Sequence, residues 1–149
     1  MHIEPDNVIL NKAAIIERSL NRMKEEYRKD TALTNYTFID AMILNIERAC
    51  QAAIDLALHI IAVNHAGMPQ TSADAFILLK KQKIISEKTA QSMVKMTGFH
   101  NIAIHEYQEL EIEVLRIIAE KEYESLITYC KELGVKIKVS KLLSASLSY

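Results

Sequence analysis

Turn residues are scarce in this 149-residue chain: three glycines and two prolines leave few places for the tight reversals that hairpins require. There is no tryptophan, and the two cysteines, Cys50 and Cys130, sit in apolar helical contexts without metal-ligand spacing. A disulfide framework is therefore not expected, and both read as reduced, buried thiols. Charge of one sign is also missing, since 18 basic residues meet 19 acidic ones for a net charge of −1. No global field draws nucleic acid or an anionic membrane, and any polyanion has to be held by a local patch. The most apolar run, residues 54–63, is broken by Asp55 and His59 and is too short to span a bilayer. Residues 1–6 carry Glu4 and Asp6 and none of the apolar core of a targeting peptide. A cytoplasmic protein is expected.

What is present suits a packed helical domain: half the residues are apolar and a quarter charged. One domain of this length buries about two thirds of its unfolded surface. A first helix is predicted after Pro5, capped by Asp6 or Asn7 and running to about residue 29, with Val8, Ile15 or Ile16, Met23 and Tyr27 on its apolar stripe. Thr37 and Asp40 have the spacing of a capping box for a second helix, which runs to about residue 63. In that helix Ile39, Met42, Ile43, Ile46, Cys50, Ala53, Ala57 and Ile60 form one continuous core stripe. Ile54, Leu58 and Ile61 form a second stripe, to be covered by another helix or by a second copy of the chain. Glu47, Gln51, Asp55 and His59 advance by four residues as a polar seam, either solvated or lining a site.

The segment 64–71, with Gly67 and Pro69, is the clearest break. Ser72 is expected to cap a short third helix ending near Gln82, and Ser86 a fourth, with Gly98 permitting a kink or a close backbone approach. A last helix is expected from about Glu109 to Leu133, carrying Leu110, Val114, Ile117 and Ile118, then Leu126, Cys130 and Leu133, with Gly134 as its C-terminal cap. The fold class is thus all-α, an up-and-down bundle of four to five helices over residues 1–134. Residues 135–149 form a tail in which Val135, Ile137 and Val139 alternate with Lys136 and Lys138 at a strand-like period. It is read as flexible, docked on the bundle, or paired with another subunit.

One short segment carries chemistry. Between Gly98 and Tyr107 lie His100, Asn101, His105 and a phenol in an otherwise apolar stretch. Asn101 and His105 are four apart and share a helical face; His100 and His105 diverge by roughly 140° around the helix. Two copies of the chain meeting beside this helix would gather the groups around one cleft. Imidazoles titrate near neutrality, so one can take a proton from a ribose 2′-hydroxyl while another group serves the departing oxygen. Metal binding fits poorly, because helical zinc ligands usually sit four apart and no carboxylate or thiol shares this face. No cofactor is expected. The plainer alternative is structural, with His100 packed at a kink, His105 bonded to a neighbouring carboxylate and Tyr107 an interface aromatic.

The segment Gly98-Phe99-His100-Asn101-x-x-x-His105-x-Tyr107, with the helix Glu47-Arg48-Ala49-Cys50-Gln51-Ala52-Ala53-Ile54-Asp55-Leu56-Ala57-Leu58-His59-Ile60 before it, resembles the HepT-like branch of the HEPN superfamily. The resemblance covers roughly residues 8–133. It implies a dimerising helical bundle that acts as a metal-independent ribonuclease toxin, with a minimal nucleotidyltransferase antitoxin as partner and RNA as substrate. It also implies that His105 is the catalytic histidine, acting as general base or acid, that His100 and Asn101 hold the phosphate, and that Tyr107 is the acceptor of an AMP added by the partner. The family pattern places arginine where this chain has His100. Arginine is always charged and offers phosphate a planar fork, whereas a histidine of ordinary pKa is only about a quarter protonated at pH 7. The alternative that the substitution favours is a non-catalytic dimeric module that binds the nucleotidyltransferase.

Overall fold

A computed structural model describes residues 3–105 and 111–141. Helix α1 spans Asn7–Lys29, α2 Tyr36–Val63, α3 Ser72–Lys81 and α4 Glu87–His105. After residue 111 come α5 (Ile112–Ile117), a π-helical turn (Ile118–Glu122) and α6 (Glu124–Glu132). Ile117, Ile118 and Tyr123 all keep right-handed helical backbone, so these three segments form one rod. The architecture is all-α, and no strand occurs among the described residues.

The local signals that start each helix are largely those expected, with two shifts. Asp6 caps α1 by accepting from the Ile9 N–H at 2.9 Å, and the Ser86 hydroxyl accepts from the Thr89 N–H at the head of α4. The second helix is capped by Asn35, whose side chain accepts from the Thr37 N–H, rather than by the Thr37 box. Thr71, not Ser72, caps α3. In both cases a polar residue slightly upstream already satisfies an orphan donor of the first turn, so the later candidate is absorbed into the helix.

Helix α2 is the centre of the bundle, in contact with α1, α3 and α4. Its core stripe is buried as expected, and Ile54 and Ile61 of the second stripe are buried within the monomer, while Leu58 stays exposed. The Tyr129 hydroxyl of α6 donates to the Ala53 carbonyl of α2 at 2.9 Å, and its ring meets Phe76 of α3 edge to face. Cys50 and Cys130 are free and buried, and desolvation pushes each thiol up to about 12.

The last rod departs from its expected stripe. Val114 and Ile117 face outward, whereas Leu115, Ile118, Ala119 and Tyr123 are buried. The Tyr123 N–H bonds to the Ile118 carbonyl, five residues back, at 3.0 Å. That extra residue resets the face: in an unbroken α-helix Glu122, four after Ile118, would follow it inward, but the π turn puts Tyr123 there instead. Gly134 caps the rod with φ +93°, and a Cβ there would stand 3.1 Å from Pro5 Cγ and 3.2 Å from the Ile3 carbonyl oxygen.

Candidate functional site

Helix α4 runs without interruption through Gly98 to His105. Gly98 could have served a kink or a close backbone approach, but the helix continues through it and a Cβ at this position would meet nothing within 4 Å. The glycine instead lines an open, mainly apolar groove of about 610 Å³ between α4 and α5, together with Phe99, Ile102, Val114 and Ile117. Ile102, Val114 and Ile117 are large apolar side chains left exposed along it, Ile117 at 50%. The three lie in the groove that the C-terminal part of α4 borders.

Asn101 is exposed on the last turns of α4, and the helical backbone reaches His105, so the two positions stand one turn apart on one helix. Tyr107 lies outside the described residues. His100 points the other way. It is 6% exposed, and its Nδ1 lies 3.7 Å from Glu47 Oε1 of α2. That is an ion-pair separation when the imidazole carries its proton, and too long for a hydrogen bond. The structure therefore separates His100, turned into the bundle toward a carboxylate, from Asn101 on the surface.

Glu47 was grouped by sequence spacing with Gln51, Asp55 and His59, but the four do not form one seam. Each step of four residues overshoots a full turn by about 40°, so the row rotates by about 120° from Glu47 to His59. Glu47 meets α4, while Asp55 accepts from Lys12 of α1 at 3.0 Å and from Gln51 at 2.9 Å. His59 Nε2 lies 2.6 Å from Asp6 Oδ2 at the head of α1. That contact, with the Ile9 N–H, holds the Asp6 carboxyl below its ordinary range. The helical drift was the signal that would have singled out Glu47. Arg48, one residue beyond it, is exposed, and among the described residues no carboxylate takes its guanidinium.

The sequence model of a family described as ribonuclease HepT-like matches residues 11–133, the stretch that contains this helix end and the groove. The chain belongs to the HepT-like family. Among curated relatives, the mRNA nuclease HepT of Shewanella oneidensis is 35% identical over 120 residues, covering 80% of this chain and 90% of that protein. The tRNA nuclease HepT of Aphanizomenon flos-aquae is 30% identical over 114 residues, covering 74% of this chain and 76% of that one. Two solved structures superpose with a TM-score of 0.82. One, a tri-AMPylated S. oneidensis HEPN toxin in complex with its MNT antitoxin, is 33% identical over 87% of this chain and 98% of its own. The other, a toxin–antitoxin with AMP-PNP, is 32% identical over 86% and 98%. HepT-like membership accounts for the all-helical fold.

Proposed function

We propose that this HepT-like chain is a toxin-type, metal-independent endoribonuclease whose cleft forms between two copies, and that a nucleotidyltransferase antitoxin controls it. The observation that carries the reading is the placement of exposed Asn101 one turn before the His105 position at the end of α4, the helix that lines an apolar groove with Ile102, Val114 and Ile117. An apolar face of that kind beside polar groups suits a self-complementary contact around a two-fold axis. The relatives support the chemistry, since both curated ones are named as RNA nucleases.

In this mechanism His105 removes the proton of a ribose 2′-hydroxyl, and the freed oxygen attacks the adjacent phosphorus. The bond from phosphorus to the 5′-oxygen breaks, leaving a 2′,3′-cyclic phosphate, and an imidazolium returns a proton to the departing oxygen. Asn101 donates its amide to the phosphate. His100 is turned away from Asn101 toward Glu47, so a proton that it carries is balanced first by that carboxylate and the phosphate receives less positive charge than a free arginine would give. AMP on Tyr107 would set bulk and negative charge at the entrance and switch cleavage off.

Incubation of the purified protein with RNA in EDTA, beside His105→Ala, tests the proposal: cleavage by the wild type and its loss in the variant are expected. Cleavage by neither protein would favour the rival reading, a dimeric module that binds the nucleotidyltransferase without cutting RNA, which the His100 substitution supports. Co-expression with an adjacent minimal nucleotidyltransferase and ATP should add the mass of AMP to the peptide holding Tyr107.

A further inference from the structure

The alternating segment 135–141 lies as an extended strap along α1. Val135 and Val139 pack against the core and Ile137 is buried, while Lys136, Lys138 and Ser140 face out. A helix supplies the strap's partners through side chains. The Glu17 carboxylate accepts from the Lys138 N–H at 2.6 Å. The Asn21 amide donates to the Lys138 carbonyl at 2.9 Å and accepts from the Ser140 N–H at 3.0 Å, imitating a β-ladder with one side chain. Arg28 Nη2 reaches the Ser140 hydroxyl at 3.4 Å. The strap itself lies beyond residue 133, where the family match ends, while its partners on α1 lie within it.

The strap brings cations to a surface that already has them. Arg18 and Arg22 each follow by one residue the two side chains that hold the strap, about 100° further round α1, and both are exposed. With Lys29, Lys136 and Lys138 they make a basic stripe on a chain whose net charge is −1. Three carboxylates share this face, Glu25 pairing with Arg22 at 4.0 Å, Glu26 with Lys29 at 3.5 Å and Glu17 binding the backbone of the strap, so the five cations outnumber them and the positive surplus comes from Arg18, Lys136 and Lys138. The polar cleft between α4 and α6 makes the contrast, because Lys88, Lys95 and Lys121 there face Glu122, Glu124 and Glu132 in equal number.

We infer that the outward lysines of the 135–141 strap, together with Arg18 and Arg22, form a backbone-binding exosite for RNA outside the catalytic cleft. This inference rests on the ribonuclease reading for the identity of its ligand. Lysines on an extended segment stand about 6.8 Å apart every second residue, close to the spacing of successive phosphates on a single strand, so Lys136 and Lys138 can take neighbouring phosphates. Contacts of this type hold RNA without reading its sequence.

The test uses the full-length chain carrying Lys136→Glu and Lys138→Glu together, with Lys80→Glu and Lys81→Glu on α3 as a reversal of equal charge elsewhere. Binding of a single-stranded, fully 2′-O-methylated RNA, which lacks the attacking hydroxyl, is titrated across a salt series. The strap variant should bind about tenfold or more weakly at low salt, with the slope of log K against log salt flattened by about 0.7 for each lost phosphate contact. The α3 variant should bind within about twofold of wild type. Equal losses in both variants, or no loss in the strap variant, would overturn the exosite. Cleavage of unmodified RNA by the wild type, measured alongside, reports on the ribonuclease reading by itself. An unchanged helical circular-dichroism spectrum and melting temperature verify that the strap variant is folded.

Discussion

At the scale of single residues, His100 and Lys24 set the clearest expectations. Replacing His100 by Arg should raise RNA cleavage about tenfold or more, because the guanidinium has donors enough to hold Glu47 with one edge and phosphate with the other. Single-turnover rates in EDTA measure it, and a rate at or below wild type would show that the cation at this position does not limit the reaction. Lys24 is 1% exposed, with its ammonium 3.6 Å from the centre of the Tyr123 ring. Desolvation, outweighing the attraction of Glu124 and Glu120, lowers its pKa from 10.5 to about 8. The native state therefore sheds this proton near pH 8 while the unfolded chain keeps it to about 10.5, so the unfolded state binds more protons between those values and stability climbs with pH there. Urea unfolding at pH 7.5 to 9.5 should show that rise in the wild type and lose it in Lys24→Met. The Tyr129 hydroxyl, buried on the Ala53 carbonyl, gives a third expectation: Tyr129→Phe should cost about 1 kcal/mol in the same unfolding measurement, since a buried hydrogen bond between α6 and α2 is lost. Of these residues only His100 was visible in the sequence as chemistry. Lys24 and Tyr129 read as ordinary members of amphipathic helices, because their burial comes from partners about 100 and 76 residues away in the chain.

Among elements, the helices were legible where an apolar period ran unbroken, with the expected cap in α1 and one shifted upstream to Asn35 in α2, and misplaced where the period itself changed. Val114 and Ile117 were assigned to the core of the last rod on a uniform turn of 3.6 residues. The π turn at Ile118–Glu122 breaks that uniformity, and a longer-range network surrounds it: Arg116 donates to the Thr31 carbonyl at 2.6 Å and to the Tyr27 hydroxyl at 3.2 Å, and that hydroxyl also bonds Glu120. Burial and the Glu120 carboxylate raise the Tyr27 pKa. The strap is the second case. Its alternation signalled an extended segment, but a helix with Glu17 and Asn21 in register does the work expected of a neighbouring strand. Asn21→Ala removes both backbone bonds while improving helix propensity, so hydrogen exchange at the Ser140 amide should accelerate at least tenfold while amides in the middle of α1 stay protected.

For the molecule as a whole, the decisive feature is the apolar face between α4 and α5. Ile117→Glu changes a half-exposed side chain, so the monomer's stability should move by no more than about 0.5 kcal/mol. If two copies meet on this face, a charge there should shift the protein from dimer to monomer in sedimentation and abolish cleavage together with dimerisation. A dimeric and fully active Ile117→Glu would place the contact elsewhere. No helix among the described residues is long and apolar enough to cross a membrane, in keeping with the interrupted run at residues 54–63. The sequence by itself determined the helical class, the order of the helices and the short segment that bears His100, Asn101 and His105, because backbone propensity, caps and apolar period are local properties of neighbouring residues. Only the tertiary structure decided which of those groups face outward: whether His100 turns to Glu47, whether Ile117 lines a groove, and what receives the strap depend on side chains that packing alone brings together.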